Sequence, residues 1–365
     1  LNPTAVKSYS TTPRIQTRPS KLCHPVTTVL SPMGRPHIVK RVGAQETPMY
    51  ANAKVLVTGG TGMVGIQLVR LLQEAGANIR VASLDDPSRV RADVEFMRGN
   101  LMHWEFCQSI VAGMDYVFHL AGVKGSAGIG NSRAATFFVP HLLMNTLMME
   151  AAFQASIQRY LYTSSIAVYH PTETFVEDQA WDGPPHPTDK YAAWAKRMGE
   201  LQAEAYQAEH GWDRIAIVRP SNIYGPFDNF DPQTAMVIPA LISRTAGGED
   251  PLVVWGGGSA IRDFIFSRDV AQGMMLALEK GANCTPVNLG SGLGVSIKEI
   301  VENIVDNFDQ RPQVKWDTSM PSGQPLRVMD ISRAQESLGF TPATSIGQGI
   351  HETVEWYLAN NDLGA

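Results

Sequence analysis

The chain has 365 residues, 44% of them hydrophobic, and a net charge of −5. That length supports a full hydrophobic core, as one large domain plus a smaller one. No apolar run reaches the length a membrane span needs, and the acidic balance offers nothing to attract nucleic acid. Three widely spaced cysteines (Cys23, Cys107, Cys284) form no metal-ligand pattern and suit a reducing compartment, so a cytoplasmic location is expected.

The charge is unevenly spread. Residues 1–50 hold seven Lys/Arg against Glu46 alone, net +6, which leaves −11 for the remainder. This polar, basic, acid-poor extension reads either as a disordered segment or as an organelle transit peptide.

Chemistry begins at Val55-Leu56-Val57-Thr58-Gly59-Gly60-Thr61-Gly62-Met63-Val64-Gly65. An apolar strand runs into glycines spaced G-x-x-G-x-x-G, and Ile66–Leu72 continues at helical spacing. Gly59 permits the turn, Gly62 lets a pyrophosphate approach the backbone, and Gly65 lets the helix pack against the strand. The unpaired N–H groups at Met63 and Val64 then face the phosphates. A dinucleotide is expected here.

A second strand, Asn78–Leu84, ends at Asp85-Asp86. A carboxylate at Asp85 would accept the adenosine ribose hydroxyls and repel a 2′-phosphate, which favours NAD over NADP; Arg89 and Arg91 nearby work the other way. Strands follow at 94–100 and 114–122. His119 reads as a packed strand residue. The Met- and Leu-coated helix 139–157 reads as core or dimer seam. A fifth strand, 158–165, ends in Ser164-Ser165. A proline-rich loop leads to a helix from Tyr191 through Lys196, and 214–220 is the sixth strand. Strands alternating with helices predict an α/β fold, a doubly wound parallel sheet of Rossmann type over 51–220. Residues 221–365, with helices at 267–280, 296–308 and 346–359, read as mainly a smaller substrate-binding α/β lobe, some of whose strands return to the main sheet.

From Ser164-Ser165 to Lys196 the chain resembles the extended short-chain dehydrogenase/reductase family, also called the NAD-dependent epimerase/dehydratase family. The resemblance runs from about residue 53 to 360. Arg219–Phe230, Val237-Ile238-Pro239-Ala240-Leu241, Val253-Val254-Trp255-Gly256 and Arg262-Asp263-Phe264 are similar to its branch of GDP-L-fucose synthase-like epimerase/reductases. The resemblance implies NAD(P), a nucleotide-diphosphosugar substrate, and a homodimer paired through helices 139–157 and 190–209.

Family chemistry uses a hydroxyl, a Tyr and a Lys: the Tyr exchanges a proton with the sugar, and the Lys lowers its pKa and holds the nicotinamide ribose. Ser165 matches the hydroxyl and Lys196 the lysine. The position four before Lys196, where Tyr and Lys would share a helix face, is Ala192. Tyr191 lies five before, turned about 100° away. Three accounts stay open: a substitution that traps bound substrate, Tyr191 reaching in through an irregular first turn, or a protein that binds without catalysing. Two further positions that carry proton-shuttling Cys and His in the double-epimerising branch are Ile166 and Met236. Hydride transfer at sugar C4 remains, as 4-keto reduction or 4-epimerisation; a 4,6-dehydratase is disfavoured because Ile166-Ala167 replaces its Asp-Glu pair. The resemblance further implies substrate contacts from Lys124, Ser164, Asn229, Val237, Arg244, Trp255, Arg262 and Arg327. It puts Asn222 on the cofactor.

Overall fold

The computed structural model describes residues 48–123, 133–320 and 323–361. The extension assigned to 1–50 and the substrate contact assigned to Lys124 therefore lie almost wholly, and wholly, outside the described residues.

Strand β1 (Lys54–Thr58) buries four of its five residues, and helix α1 (Met63–Glu74) follows it. Then come β2 (Asn78–Ser83), β3 (Glu95–Arg98), α2 (Trp104–Val111), β4 (Tyr116–His119), α3 (Ala134–Gln154) and β5 (Arg159–Thr163). After the two-residue β6 (Thr174–Phe175), helix α4 (Lys190–His210) ends on Gly211 at φ +65°, the left-handed stop a glycine supplies without strain. Strand β7 (Ile215–Pro220) is buried at every position. A strand hidden on both faces needs helices on both sides, which is why Ile215–Val218 of β7 is continuously apolar and not alternating.

The main sheet has the order β11-β7-β5-β4-β1-β2-β3, with β11 (Pro286–Leu289) its outermost strand on one edge. Every pair is parallel. From β1 the chain builds outward through β2 and β3 in one direction, and through β4, β5 and β7 in the other. The reversal between β1 and β4 leaves a crevice at their carboxyl ends, where open α/β sheets bind ligands.

A second sheet joins β12 (Gly294–Ser296), β10 (Ile261–Phe266), β14 (Leu326–Met329) and β6, with β8 (Asn222–Tyr224) pairing β10; β9 (Leu252–Trp255) pairs β13 (Val314–Asp317). Helices α5 (Val237–Ala246), α7 (Ile297–Val305) and α9 (Ile346–Asn360) bury Ile238, Ile242, Ile300, Ile304 and Val354 against Tyr224, Phe264 and Phe266. Helix α6 (Ser267–Lys280) covers the main sheet, and α8 (Ser332–Leu338) lies beside β11. Capping boxes at Ser296/Glu299 and Ser345/Gln348 start α7 and α9. The sequence places α6 at its observed limits. It runs the helix assigned to 139–157 late, since α3 begins at Ala134, and it misses α2.

Candidate active site

The crevice holds two adjoining cavities. The larger, about 960 Å³, runs over the glycine loop and past the end of β2. Gly59 sits at φ +69°, and a Cβ there would stand 2.9 Å from the Ala121 backbone. A Cβ on Gly65 would meet the Gly59 carbonyl oxygen at 2.2 Å, so α1 comes this close to the loop only because residue 65 has none. The N-cap of α1 is Gly62, with no side chain bonded to the first turn, so its N–H groups stay open to an anion. These are features a dinucleotide pyrophosphate fits. Gly59, Gly62 and Met63 line both cavities; Val64 and Gly65 line the smaller one.

Asp85 lies on the wall of the larger cavity, and Thr61 Oγ1 donates to its Oδ2 at 2.6 Å. Thr61 also bonds Ser83 Oγ at 2.8 Å, so the loop and the end of β2 orient the carboxylate together. Arg89 stands 3.7 Å from the same oxygen, in an exposed pair.

The smaller cavity, about 540 Å³, is lined by Ser165, Ile166, Tyr191, Ala192, Lys196, Asn222, Asn229, Met236 and Arg327. Lys196 Nζ donates to the Thr163 carbonyl at 2.6 Å. Burial pulls the ammonium down to a pKa of about 8, against the opposing charge of Glu200. Ser165 Oγ accepts from Ala167 N at 3.1 Å and caps the short turn after β5, and its proton has no acceptor among the described residues. Ala192 lies one turn before Lys196, as the sequence spacing requires. Tyr191, expected to turn away, also opens on this cavity; it is 36% exposed, with its ring edge against Phe138. It sits in the first turn of α4, where side chains lean back toward the N-terminus.

Behind the cavities a buried polar frame fixes these groups. Glu200 accepts from both Arg219 Nε and Nη2, at 2.9 and 2.7 Å, and from Ser164 Oγ at 2.5 Å. Burial opposes the charge of Arg219, but its bonds to Glu200 hold the guanidinium protonated more firmly still. The proton of Ser164 is thus committed to Glu200. Thr58, His119, Asn145 and Tyr162 form a chain of side-chain hydrogen bonds that ends on the Lys196 carbonyl. His119 is accordingly a packed strand residue, held neutral by burial with a pKa of about 3.

Of the remaining sequence-selected residues, Asn222 Nδ2 donates to the Asp263 carbonyl at 2.7 Å. Asn229 Nδ2 donates to Thr234 Oγ1 at 2.7 Å. Arg262 and Arg327 are register partners on β10 and β14. Burial, and then the Arg327 charge, lowers the Arg262 pKa. Arg327 reaches Asp189 at 3.5 Å and keeps a buried Nε with no hydrogen-bond partner among the described residues. Two adjacent guanidiniums, one with an orphaned donor, suit a diphosphate. Arg262, Arg244, Val237 and Trp255 line neither cavity: Arg262 stands beside Arg327, Arg244 is engaged by Glu249 and the Val253 carbonyl, and Trp255 is 64% exposed. Among the residues that line both cavities, sequence reasoning passed over His141 and Thr163. The Thr163 Oγ1 is buried and has no hydrogen-bond partner among the described residues.

The NAD dependent epimerase/dehydratase family model matches residues 55–290. GDP-L-fucose synthase 1 of Arabidopsis thaliana is 31% identical over 330 residues, covering 88% of this chain and 99% of the relative. A dTDP-4-dehydro-6-deoxy-D-allose reductase of Streptomyces bikiniensis is 27% identical, covering 84% and 97%. Among solved structures, the UDP-N-acetylglucosamine 4-epimerase of Methanobrevibacter ruminantium M1 superposes with a TM-score of 0.76 at 25% identity, covering 85% of this chain and all of that one. With its glycine loop, its parallel sheet and this breadth of similarity, the chain belongs to the NAD dependent epimerase/dehydratase family, and its cofactor is NAD(P).

Proposed function

We propose that the chain transfers a hydride between NAD(P) and C4 of a nucleotide-diphosphosugar, with NAD and a GDP-linked 4-keto sugar as the favoured pair. The observation that carries this is the convergence of Ser165, Lys196 and Arg327 on one cavity continuous with the glycine loop. The bound cofactor supplies or accepts the hydride. Ser165 donates a hydrogen bond to the reacting sugar oxygen and keeps its proton. Lys196 holds positive charge beside it, and a pKa near 8 keeps most of that charge at neutral pH while leaving a proton exchangeable. Arg327, on the cavity wall, holds the diphosphate, and Arg262 beside it in register adds positive charge, with residues 221–361 supplying most of the substrate side.

Ile166 and Met236 both line the cavity, and neither side chain carries a proton. That favours chemistry confined to C4 over epimerisation at the flanking carbons. With Ala192 at the phenol position, Tyr191 is the phenol that opens on the same space. It serves as proton donor in this reading, and the alternative is a dinucleotide-binding module without turnover, which Ala192 favours. Val139, Leu143 and Leu201 are exposed on α3 and α4, which supports pairing of two copies along those helices.

The test gives the purified protein GDP-, UDP- and dTDP-4-keto-6-deoxy sugars with NADH or NADPH and follows cofactor consumption. One cofactor oxidised per sugar supports a reductase; interconversion of 4-epimers without net consumption supports an epimerase. Tyr191→Phe abolishing turnover, with Ala192→Tyr raising it, supports the C4 chemistry. No turnover in wild type and in Ala192→Tyr alike refutes it in favour of the binding module.

A further inference from the structure

Helix α3 looks like plain core in sequence, yet it delivers an imidazole to the junction of the two cavities. His141 follows Pro140, and it is 5% exposed. Its Nδ1 lies 2.7 Å from the Phe137 carbonyl. A carbonyl only accepts, so Nδ1 carries the hydrogen and Nε2 of the neutral ring carries a lone pair. Burial, and then the charge of Lys196, holds the ring at a pKa of about 4, so this tautomer persists at neutral pH. Nε2 looks toward Gly122, where a Cβ would stand 3.2 Å from it. It has no hydrogen-bond partner among the described residues. The contrast with His119 is direct, since both nitrogens of that ring are bonded within the frame.

Gly122 follows β4 and lines the larger cavity alone, whereas Lys196 lines both. The Nε2 lone pair is therefore aimed into the cleft close to where the dinucleotide passes into the reaction chamber. An acceptor so placed takes a hydrogen bond from an N–H or O–H of whatever fills the cleft. We propose that His141 Nε2 is a binding group for the nicotinamide half of the dinucleotide, accepting a hydrogen bond from a ribose hydroxyl or from the carboxamide N–H. This rests on the glycine-loop cleft holding the cofactor. The residue positions the cofactor and moves no proton.

The experiment titrates NAD, ADP-ribose and ADP against wild type, His141→Phe and His141→Asn by calorimetry. Phenylalanine keeps the ring volume and removes the acceptor; asparagine restores one. The expected result is NAD binding weakened roughly three- to ten-fold by His141→Phe, ADP binding unchanged, and most of the loss recovered by His141→Asn. A matching loss for ADP-ribose assigns the contact to the ribose hydroxyl, and a loss for NAD alone assigns it to the carboxamide. Equal losses for NAD and ADP, or no loss for any ligand, overturn the proposal. Should His141→Phe fail to fold, His141→Leu reads the same loss. Failure of wild type to bind NAD or NADP at all overturns the cleft assignment itself, and the proposal with it.

Discussion

Replacing Lys196 by methionine should make the protein more stable and catalytically dead. The ammonium is held at a pKa of about 8 against an ordinary 10.5, with burial as the main cause. That depression corresponds to about 3 kcal/mol of net penalty for keeping the group charged in the fold. Methionine occupies similar volume without the charge, but it leaves the Thr163 carbonyl without its donor, which costs about 1 kcal/mol. The expected net gain is about 2 kcal/mol at pH 7. The sign follows from linkage. Between pH 8 and 10.5 the unfolded lysine binds more protons than the folded one, so wild-type stability rises with pH across that window. The advantage of Lys196→Met is therefore full below pH 8 and gone by about 10.5, where its sign reverses through the lost hydrogen bond. Urea unfolding of both proteins at pH 7, 8, 9 and 10 measures it, because groups that titrate alike in both cancel from the difference. A difference that stays flat across this range, or a variant less stable at pH 7, would show that the lysine is not held down as described.

Four other outcomes follow from the same structure. Glu200→Gln leaves Arg219 charged, buried and without its carboxylate, so unfolding free energy should fall by about 3–5 kcal/mol; a loss under 1 kcal/mol in chemical denaturation contradicts the frame. Gly65→Ala forces a Cβ to within 2.2 Å of the Gly59 carbonyl, so NAD affinity should drop at least about a hundred-fold, a prediction checked by titrating cofactor fluorescence. Asp85→Ser removes the carboxylate that Thr61 orients and leaves Arg89 free to meet a 2′-phosphate; the ratio of NADP to NAD affinity should rise about ten-fold or more. Arg327→Gln should weaken nucleotide-sugar binding by roughly ten-fold or more while NAD affinity holds, and equal losses for both ligands would count against a diphosphate clamp.

What the sequence discloses tracks how local the constraint is. The glycine loop is legible because its strain lies within seven residues, and the pattern strand–turn–helix names it. Lys196 and Ala192 are legible because an i, i+4 spacing on a helix fixes their common face. Legibility fades where the partner is distant. Ser164 and Ser165 are adjacent hydroxyls in sequence, yet one is spent on Glu200, thirty-six residues on, while the other keeps its proton for the cavity. Nothing in the spacing of residues 164, 200 and 219 announces that they share one buried site. His141 is hidden for the opposite reason: it stands among methionines and leucines in a helix with no polar face, so its surroundings argue for core. Only the fold shows that this helix crosses the end of β4.

Tyr191 is the instructive case, because helix spacing turns it from the lysine's face while one of the three open accounts lets it reach in, and it does line the cavity. A residue five before Lys196 does turn about 100° from the position four before it on an ideal helix. The angle about the axis does not include the wall opposite. Tyr191 opens the first turn of α4, with the loop of Thr188 and Asp189 before it and Phe138 across from it, and the cavity wraps around the helix end. A position rotated away from Lys196 is therefore not rotated away from the space Lys196 serves. The same holds at Ala192: its small side chain widens the cavity at the position where the resemblance expects a phenol, and the nearest phenol on the chain borders the widened space.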